Sequence, residues 1–556
     1  MKFDQLLEPH LIKKSNGSIE NCKWQEADNL LTPSRIDICL KLAYLEIKNK
    51  NKKYAELIYK SDICMQTKGS FKEIGNVKKK NIEDYINSFN EISSNMKVSG
   101  FDEKKSLIPV SKNGNILNGA HRIASAIHFG LKVKTATLPV NDVKRDFLEL
   151  FKRNLEPSLI ELAATIFVNY SKNSRVAFFW PRIDYDQDKE SNGLDKIFYK
   201  KKVNLSGIGK RNLIQLAYSH IDFSSEQAKS VWIDKKVSEC FSNGNQVTVF
   251  FFQSNNDQKV KEFKRKIRDK YKCGYSIIHT TDTHDEAKNI SGLLLNDNGI
   301  HFINNSTADL TSITNKVKSI KYHLEKNSLD RADVAVDSGF ILEMYGLRKS
   351  RDIDLIHYDN QFTLKSPDID IHQDTLVYHQ VASEELVFNP YFYFEFHGIK
   401  FISLEQVYYM KAVRNEEKDR TDTFLVRKLN RNGVLNPSVP TGVNTGLLLN
   451  KQLFKLYEKI DSLKDNSYVV YGAGTGSRII CSHMGSRIKI IVDSNKKFHG
   501  MDLYGIKIHP TDEIKILDKK IKVIISVFGR EKEIAELLIN NYHLEKERII
   551  TFSDII

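Results

Sequence analysis

The chain has 556 residues, a formal net charge of +14 and an isoelectric point near 9.1. Its 41% hydrophobic content, with 10% aromatic residues, supports real cores and excludes a mainly disordered chain. At about 100–200 residues per domain, the length suggests roughly three to five domains. The densest apolar stretch, Val247–Phe252, has only the length of a strand, and the first ten residues are charged where a leader would need an apolar run. Membrane insertion is therefore not expected, and a cytoplasmic location is. The six cysteines form no C-x-x-C pair, which excludes a zinc ribbon and argues against a disulfide framework. Basic residues alternate with acidic ones, as in Glu262–Lys270, a pattern suited to phosphorylated small molecules more than to nucleic acid.

Residues 1–155 read as mostly helical with a short strand near 105–111. Ile82, Tyr85, Ile86, Phe89, Ile92 and Met96 mark one amphipathic helix, with Gly100 just beyond its end as a left-handed cap. In Ile116–Ala126 a short apolar strand runs into Asn118-Gly119, and His121-Arg122 open a helix. A helix start with an arginine beside it suits an anion. This stretch resembles the Asp/Asn-Gly-x-His-Arg signature of the ParB/sulfiredoxin-like fold, whose members hydrolyse CTP, reduce sulfinic acids with ATP or phosphorylate small molecules. The resemblance implies phosphate contacts from Asn118, Gly119 and Arg122, with His121 and an acid, Glu73, as catalytic candidates.

Residues 156–310 alternate β-rich runs (Val176–Trp180, Val247–Phe252, Ser276–His279, Ile300–Ile303) with charged helical stretches such as 257–272, which argues an α/β layer. Within it His279-Thr-Thr-Asp-Thr-His-Asp-Glu286 carries metal-capable residues, but helix capping by Thr283 and Glu286 accounts for it without a ligand.

Residues 311–431 supply a helix, a strand, a turn, β-rich segments and a final charged helix around 403–418. After Ser338-Gly339 an apolar helix ends at Gly346, a basic turn follows, and Asp352-x-Asp354 opens a strand. Alternate strand residues face one side, so both carboxylates can hold one or two Mg2+ ions for an in-line displacement at phosphorus. The span is similar to the nucleotidyltransferase fold shared with DNA polymerase β: a small pair, then Asp-x-Asp after 9–13 residues, here twelve between Gly339 and Asp352. Gly398–Glu405 and Lys411–Asp422 resemble the tail of the small nucleotidyltransferase-like families. The resemblance implies Asp352 and Asp354 on Mg2+, Ser338 and Gly339 on the triphosphate, and Lys349 or Arg351 offsetting charge on the pyrophosphate. Asp368, Asp370, Asp374 and Glu395 all remain candidates for a third carboxylate.

Asn432–Gly442 holds two prolines and two glycines and reads as a linker, followed by a helix marked by Leu453, Phe454, Tyr457 and Ile460; together these fill 432–466. From 467 to 556, strand, Gly472-Ala473-Gly474 turn, helix and a second strand ending at Asp493 reproduce half of a dinucleotide-binding unit. This part looks like the Rossmann-like domains of sugar acyltransferases and sugar methyltransferases, which implies a nucleotide or sugar ligand at Gly472, Gly474 and Asp493.

The expected architecture is multidomain α/β and α+β: ParB/sulfiredoxin-like, α/β, nucleotidyltransferase and Rossmann-like domains in that order. The leading expectation is a nucleotidyltransferase with a kinase-like N-terminal domain, using Mg2+ and ATP or another NTP. It would activate a small acceptor for bacterial surface polysaccharide. A toxin-type enzyme modifying RNA or protein, and a ParB-like nucleic-acid-binding regulator, are the alternatives.

Overall fold

The computed structural model describes residues 6–71, 79–365, 370–371, 373–431, 459–460, 462–463, 467–484, 487–503, 506–518, 520–527 and 530–552. Glu73, Asp368, the 432–442 linker and Leu453, Phe454 and Tyr457 of the helix expected after it lie outside them. The chain divides into two compact units: residues 1–55, 101–147 and 158–438 form one, and 56–100, 148–157 and 439–556 the other.

The described residues of the first unit form three sheets. In the first, β1 (Asn21–Glu26), β2 (Ile108–Ser111) and β3 (Lys132–Leu138) lie in the order β1-β3-β2. β2 and β3 are parallel, and the helix Ala120–His128 crosses between them. That helix packs on Ile38–Ile47, a helix apolar on nearly every side and therefore buried almost throughout.

In the second sheet β4 (Ser174–Phe179), β5 (Ile197–Asn204), β6 (Gln246–Gln253) and β7 (Ile278–Thr280) are ordered β5-β6-β4-β7. Every pairing is antiparallel, unlike the parallel layer that alternating strands and helices usually build. Two helices, Gly207–Ala217 and Glu226–Cys240, return the chain between β5 and β6 so that the strands run in opposite senses. Val247–Phe252 is buried without interruption, as a run covered on both faces should be. Ile300–Ile303, expected as a strand, belongs instead to the helix Asp297–Asn305. Asn296 caps that helix by accepting from the Asn298 and Gly299 amides, and Phe302 and Ile303 fill its buried face.

The third sheet is mixed: β8 (Val334–Asp337), β9 (Asp354–His357), β10 (Leu364–Lys365), β11 (Asp370–Ile371), β12 (Tyr393–Phe396) and β13 (Ile399–Ile402), in the order β10-β11-β9-β8-β13-β12. The β12–β13 hairpin turns through His397 and Gly398, both at positive φ, the geometry that matches strand twist. The single charged helix expected near 403–418 is two helices, Leu404–Arg414 and Glu417–Arg431. Asn415 ends the first in a left-handed conformation (φ 54°).

In the second unit, the helix Ile82–Ser99 has a reciprocal capping box between Asn81 and Asp84 and ends at Gly100 with φ 70°. Its fourth sheet comprises β14 (Tyr468–Tyr471), β15 (Ile488–Asp493), β16 (Asp502–Leu503), β17 (Ile506–Pro510), β18 (Lys522–Ile525) and β19 (Ile549–Ile550), ordered β16-β17-β15-β14-β18-β19. All pairings except β16–β17 are parallel, and the order reverses at β14, as in doubly wound sheets. Tyr468 and Val470 face one apolar layer with Ile480 and Ile524; Val469 and Tyr471 face another with Ile534 and Leu538. Both faces are therefore covered.

Among the described residues no helix is long and apolar enough to cross a membrane. No disulfide joins any of the described cysteines.

Candidate active site

The mixed sheet places its carboxylates in a row. Asp354, the first residue of β9, stands opposite Asp337 on β8 and opposite Asp370 on β11. Residues directly opposite share a face of a sheet. Of the three described candidates for a third carboxylate, Asp370, Asp374 and Glu395, Asp370 is thus the one beside Asp354. Asp374 lies beyond β11 in a turn, and Glu395 sits on β12 at the far edge, opposite Lys400. Asp352 does not open the strand: it is exposed, in the bend just before β9.

Mg2+ is ordinarily held by one or two carboxylates together with substrate phosphates. Asp352 and Asp354, exposed and half-buried at the head of β9, fit that donor set. Among the described residues no three His, Cys, Asp or Glu side chains gather closely enough to hold a metal by themselves.

Between β8 and β9 the chain makes the turn expected of the small pair. Ser338 has φ 58° and ψ −124°, a conformation normally left to glycine, and caps the helix Gly339–Met344. Such a backbone costs on the order of 1–3 kcal/mol and persists only where its surroundings enforce it. A Cβ on Gly339 would come within 3.5 Å of both terminal nitrogens of Arg348, so the guanidinium lies directly against this glycine.

Arg348 is held there by a bidentate pair with Asp422 (2.5 and 2.8 Å). Lys411 bridges Asp422 (2.9 Å) and Asp419 (3.1 Å), and Arg414 adds two bonds to Asp419 at 2.8 Å. Burial alone would raise the Asp419 carboxyl, but Arg414 and Lys411 outweigh it and bring it down to about 2. The Lys411–Asp422 segment, chosen in the sequence for its pattern, thus converges on Arg348, a residue not singled out there. Two acids on one helix face needing buried cationic partners were the available signal.

Of the two cations that were singled out, Lys349 is 81% exposed and 3.3 Å from Glu343, and Arg351 is exposed. Glu343 also accepts from Lys316, at 2.7 Å, and from the Ser350 amide and hydroxyl. Against its burial, these contacts lower it to about 2.

At the first sheet, Gly119 (φ 89°) caps the helix Ala120–His128, and a Cβ there would meet Arg122 Nη2 at 2.9 Å. Arg122 donates to Glu8 Oε1 (3.1 Å) and to the Leu107 carbonyl (3.1 Å), while Asn118 Nδ2 donates to the same Glu8 oxygen at 3.0 Å. Glu8 Oε2 is buried and has no hydrogen-bond partner among the described residues. Burial lowers the Arg122 guanidinium, and Glu8 opposes that shift. Glu8 is therefore the acid that meets this motif. It lies more than a hundred residues upstream, where sequence spacing gives no hint of it. His121 is the second residue of the helix.

In the second unit, Gly472 (φ 105°) turns the chain at the end of β14; a Cβ there would meet Val527 at 2.6 Å and Ser526 Oγ at 2.9 Å. Gly474 is exposed one residue before the helix Thr475–Met484. Asp493 does not reach outward with both oxygens: Oδ2 accepts from the Ala473 amide at 2.6 Å and Oδ1 from the Asn495 amide at 2.7 Å.

The 279–286 segment behaves as a strand end and a cap. Burial lowers His279 to about 3, and its ring lies 4.4 Å from that of Tyr218. Thr283 caps the helix His284–Leu294 and Glu286 bonds back to the Asp282 amide. No protein-family model, curated protein or solved structure matches this chain, so the site geometry carries the functional conclusion.

Proposed function

We propose that the chain is a nucleotidyltransferase that moves a nucleoside monophosphate from ATP or another NTP to a small acceptor, with release of pyrophosphate. The row Asp337–Asp354–Asp370 beneath the strained Ser338–Gly339 turn is the observation that carries it. Asp352 and Asp354 would hold Mg2+, which supplies Lewis-acid stabilisation of charge developing on the phosphoryl oxygens. Asp370 adds a carboxylate beside Asp354 suited to accept the acceptor's proton. Ser338 and Gly339 face the triphosphate. Arg348, fixed by Asp422, offers a preorganised cation whose position need not reorganise during transfer. Lys349 and Arg351 extend positive charge toward solvent, where pyrophosphate leaves.

A second activity at the N-terminal motif is supported by the convergence of Glu8, Asn118 and Arg122 on one point. In this reading the first sheet is a ParB/sulfiredoxin-like module binding a phosphorylated ligand, with Glu8 in the acidic role. The doubly wound sheet would be a Rossmann-like module for a sugar or nucleotide-linked ligand at the switch point beside Gly472. Together these modules suit an enzyme that activates a sugar, polyol or amino-acid derivative.

The test is pyrophosphate release from each of the four NTPs with Mg2+ across small acceptors. Asp354→Asn and Asp370→Asn should each lower the rate by at least about a hundred-fold, the scale of losing a positioned proton-transfer or charge-stabilising group. Undiminished release in Asp354→Asn would remove this site from the reaction. Labelled nucleotide appearing on RNA or protein would move the acceptor to a macromolecule.

A further inference from the structure

Behind the Ser338–Gly339 turn lies a chain of three buried side chains, one of them Asp337 of the carboxylate row, to which the proposed chemistry gives no direct step. Asp337 closes β8 with 1% of its surface exposed, and its Oδ2 is 3.0 Å from His379 Nε2. The His379 side chain is fully buried on the short helix Leu376–His379. Gln406, 1% exposed on the helix Leu404–Arg414, brings its Nε2 to 2.9 Å from the His379 carbonyl and 3.1 Å from His379 Nδ1.

These distances fix the proton on the ring. A carbonyl oxygen only accepts, so Gln406 must present its NH2 group at that point. The same nitrogen then makes Nδ1 an acceptor, and the imidazole proton resides on Nε2, aimed at Asp337. The Ser338 hydroxyl in turn donates to the same Asp337 oxygen at 3.5 Å, and burial, which alone would raise the Asp337 carboxyl, is outweighed chiefly by His379. Among the described residues the other oxygen, Oδ1, is buried and has no hydrogen-bond partner, so the carboxylate depends on these donors.

We propose that His379 is the positioning residue of this site: with its tautomer set by Gln406, it holds Asp337, and Asp337 holds Ser338 in the strained turn that places Gly339 against Arg348. Its consequence for nucleotide binding rests on the nucleotidyl-transfer reading; its geometric content does not.

Hydrogen exchange of the full chain tests it, read on the segment 337–345, alongside MgATP titration by calorimetry. His379→Leu removes the donated bond, whereas His379→Gln keeps an N–H that can reach Asp337. Exchange in 337–345 should rise about ten-fold or more in the leucine variant, the effect of one lost hydrogen bond to a buried charge. It should return to near the wild-type rate in the glutamine variant, with MgATP affinity following the same order. Unchanged exchange in His379→Leu overturns the proposal. So does equal disturbance by Gln and Leu, since volume and not the hydrogen bond would then be the cause. If His379→Leu does not fold, Gln406→Leu carries the test: it frees Nδ1, and the same segment should exchange faster; wild-type exchange there overturns the tautomer assignment. Wild-type protein that fails to bind MgATP, with the exchange pattern intact, refutes the nucleotidyl-transfer reading and leaves the positioning role standing.

Discussion

Lys411→Met tests whether the ion network behind Arg348 holds the site in shape. Lys411 is 3% exposed in its side chain, between two aspartates that are 0% and 2% exposed. Methionine keeps the unbranched stem as far as Cε but removes the ammonium, leaving both carboxylates with one cation each, Arg414 for Asp419 and Arg348 for Asp422. Breaking a buried pair ordinarily costs about 3–5 kcal/mol because a charge is left uncompensated. Since each aspartate keeps an arginine, the low end, about 3 kcal/mol, is expected. At 1.4 kcal/mol per tenfold, this is roughly a hundred-fold faster exchange of amides in Leu404–Arg431 that exchange through local opening. The loss should depend on pH with a definite sign. Asp419 titrates in the folded chain at about 2, below the ordinary 3.8, so its contribution is full above pH 3.8 and fades as pH falls toward 2. The gap between variant and wild type should narrow over that window. Less than tenfold faster exchange at pH 7, or a gap independent of acid, would refute the account of this network as a coupled buried assembly.

Gly119→Ala should strain the φ 89° cap and push Arg122 off Glu8, at a cost of about 1–3 kcal/mol, visible as a lower urea midpoint. Glu8→Gln should weaken phosphate-ligand binding at the first sheet without changing pyrophosphate release at the third; coupled loss of both would contradict two separate sites. Lys400 is buried, donates to the Ala332 carbonyl at 2.7 Å, and is lowered to about 8, chiefly by burial, with Glu395 opposing. The unfolded chain therefore binds this proton more tightly, and the penalty is complete below pH 8 and relieved as pH rises toward 10.5. Wild-type stability should gain up to about 1.4 kcal/mol per pH unit in that window from this group, a slope absent in Lys400→Met. Equal slopes in the two proteins would show that Lys400 stays charged.

Elements marked by local signals were readable in the sequence. The capped helix ending at Gly100 and the strand–turn–helix–strand of Tyr468–Asp493 follow from periodicity and from backbone needs at single residues. Ile300–Ile303 was not readable as a helix because four apolar residues fit a buried strand and a buried helix face equally well, and Asn296 decides between them. The turn at Ser338 and the strand at Asp354 were legible; their partners were not. Arg348, Glu8 and His379 acquire meaning only through contacts made across the sheet or across long stretches of chain, on which residue spacing is silent, and Asp370, a candidate in the sequence, is set beside Asp354 only by strand pairing. Sheet direction was similarly hidden: the β4–β7 layer is antiparallel because of how paired helices return the chain.

One measurement bears most directly on nucleotidyl transfer at Asp354. The protein would be incubated with Mg2+, an acceptor panel and the same NTP carrying label at the α- or at the γ-phosphate. The account predicts α-label on a small acceptor and γ-label in pyrophosphate, both lost in Asp354→Asn. γ-Label on the acceptor, unaffected by Asp354→Asn, would contradict it and assign the transferred group to phosphoryl chemistry elsewhere in the chain.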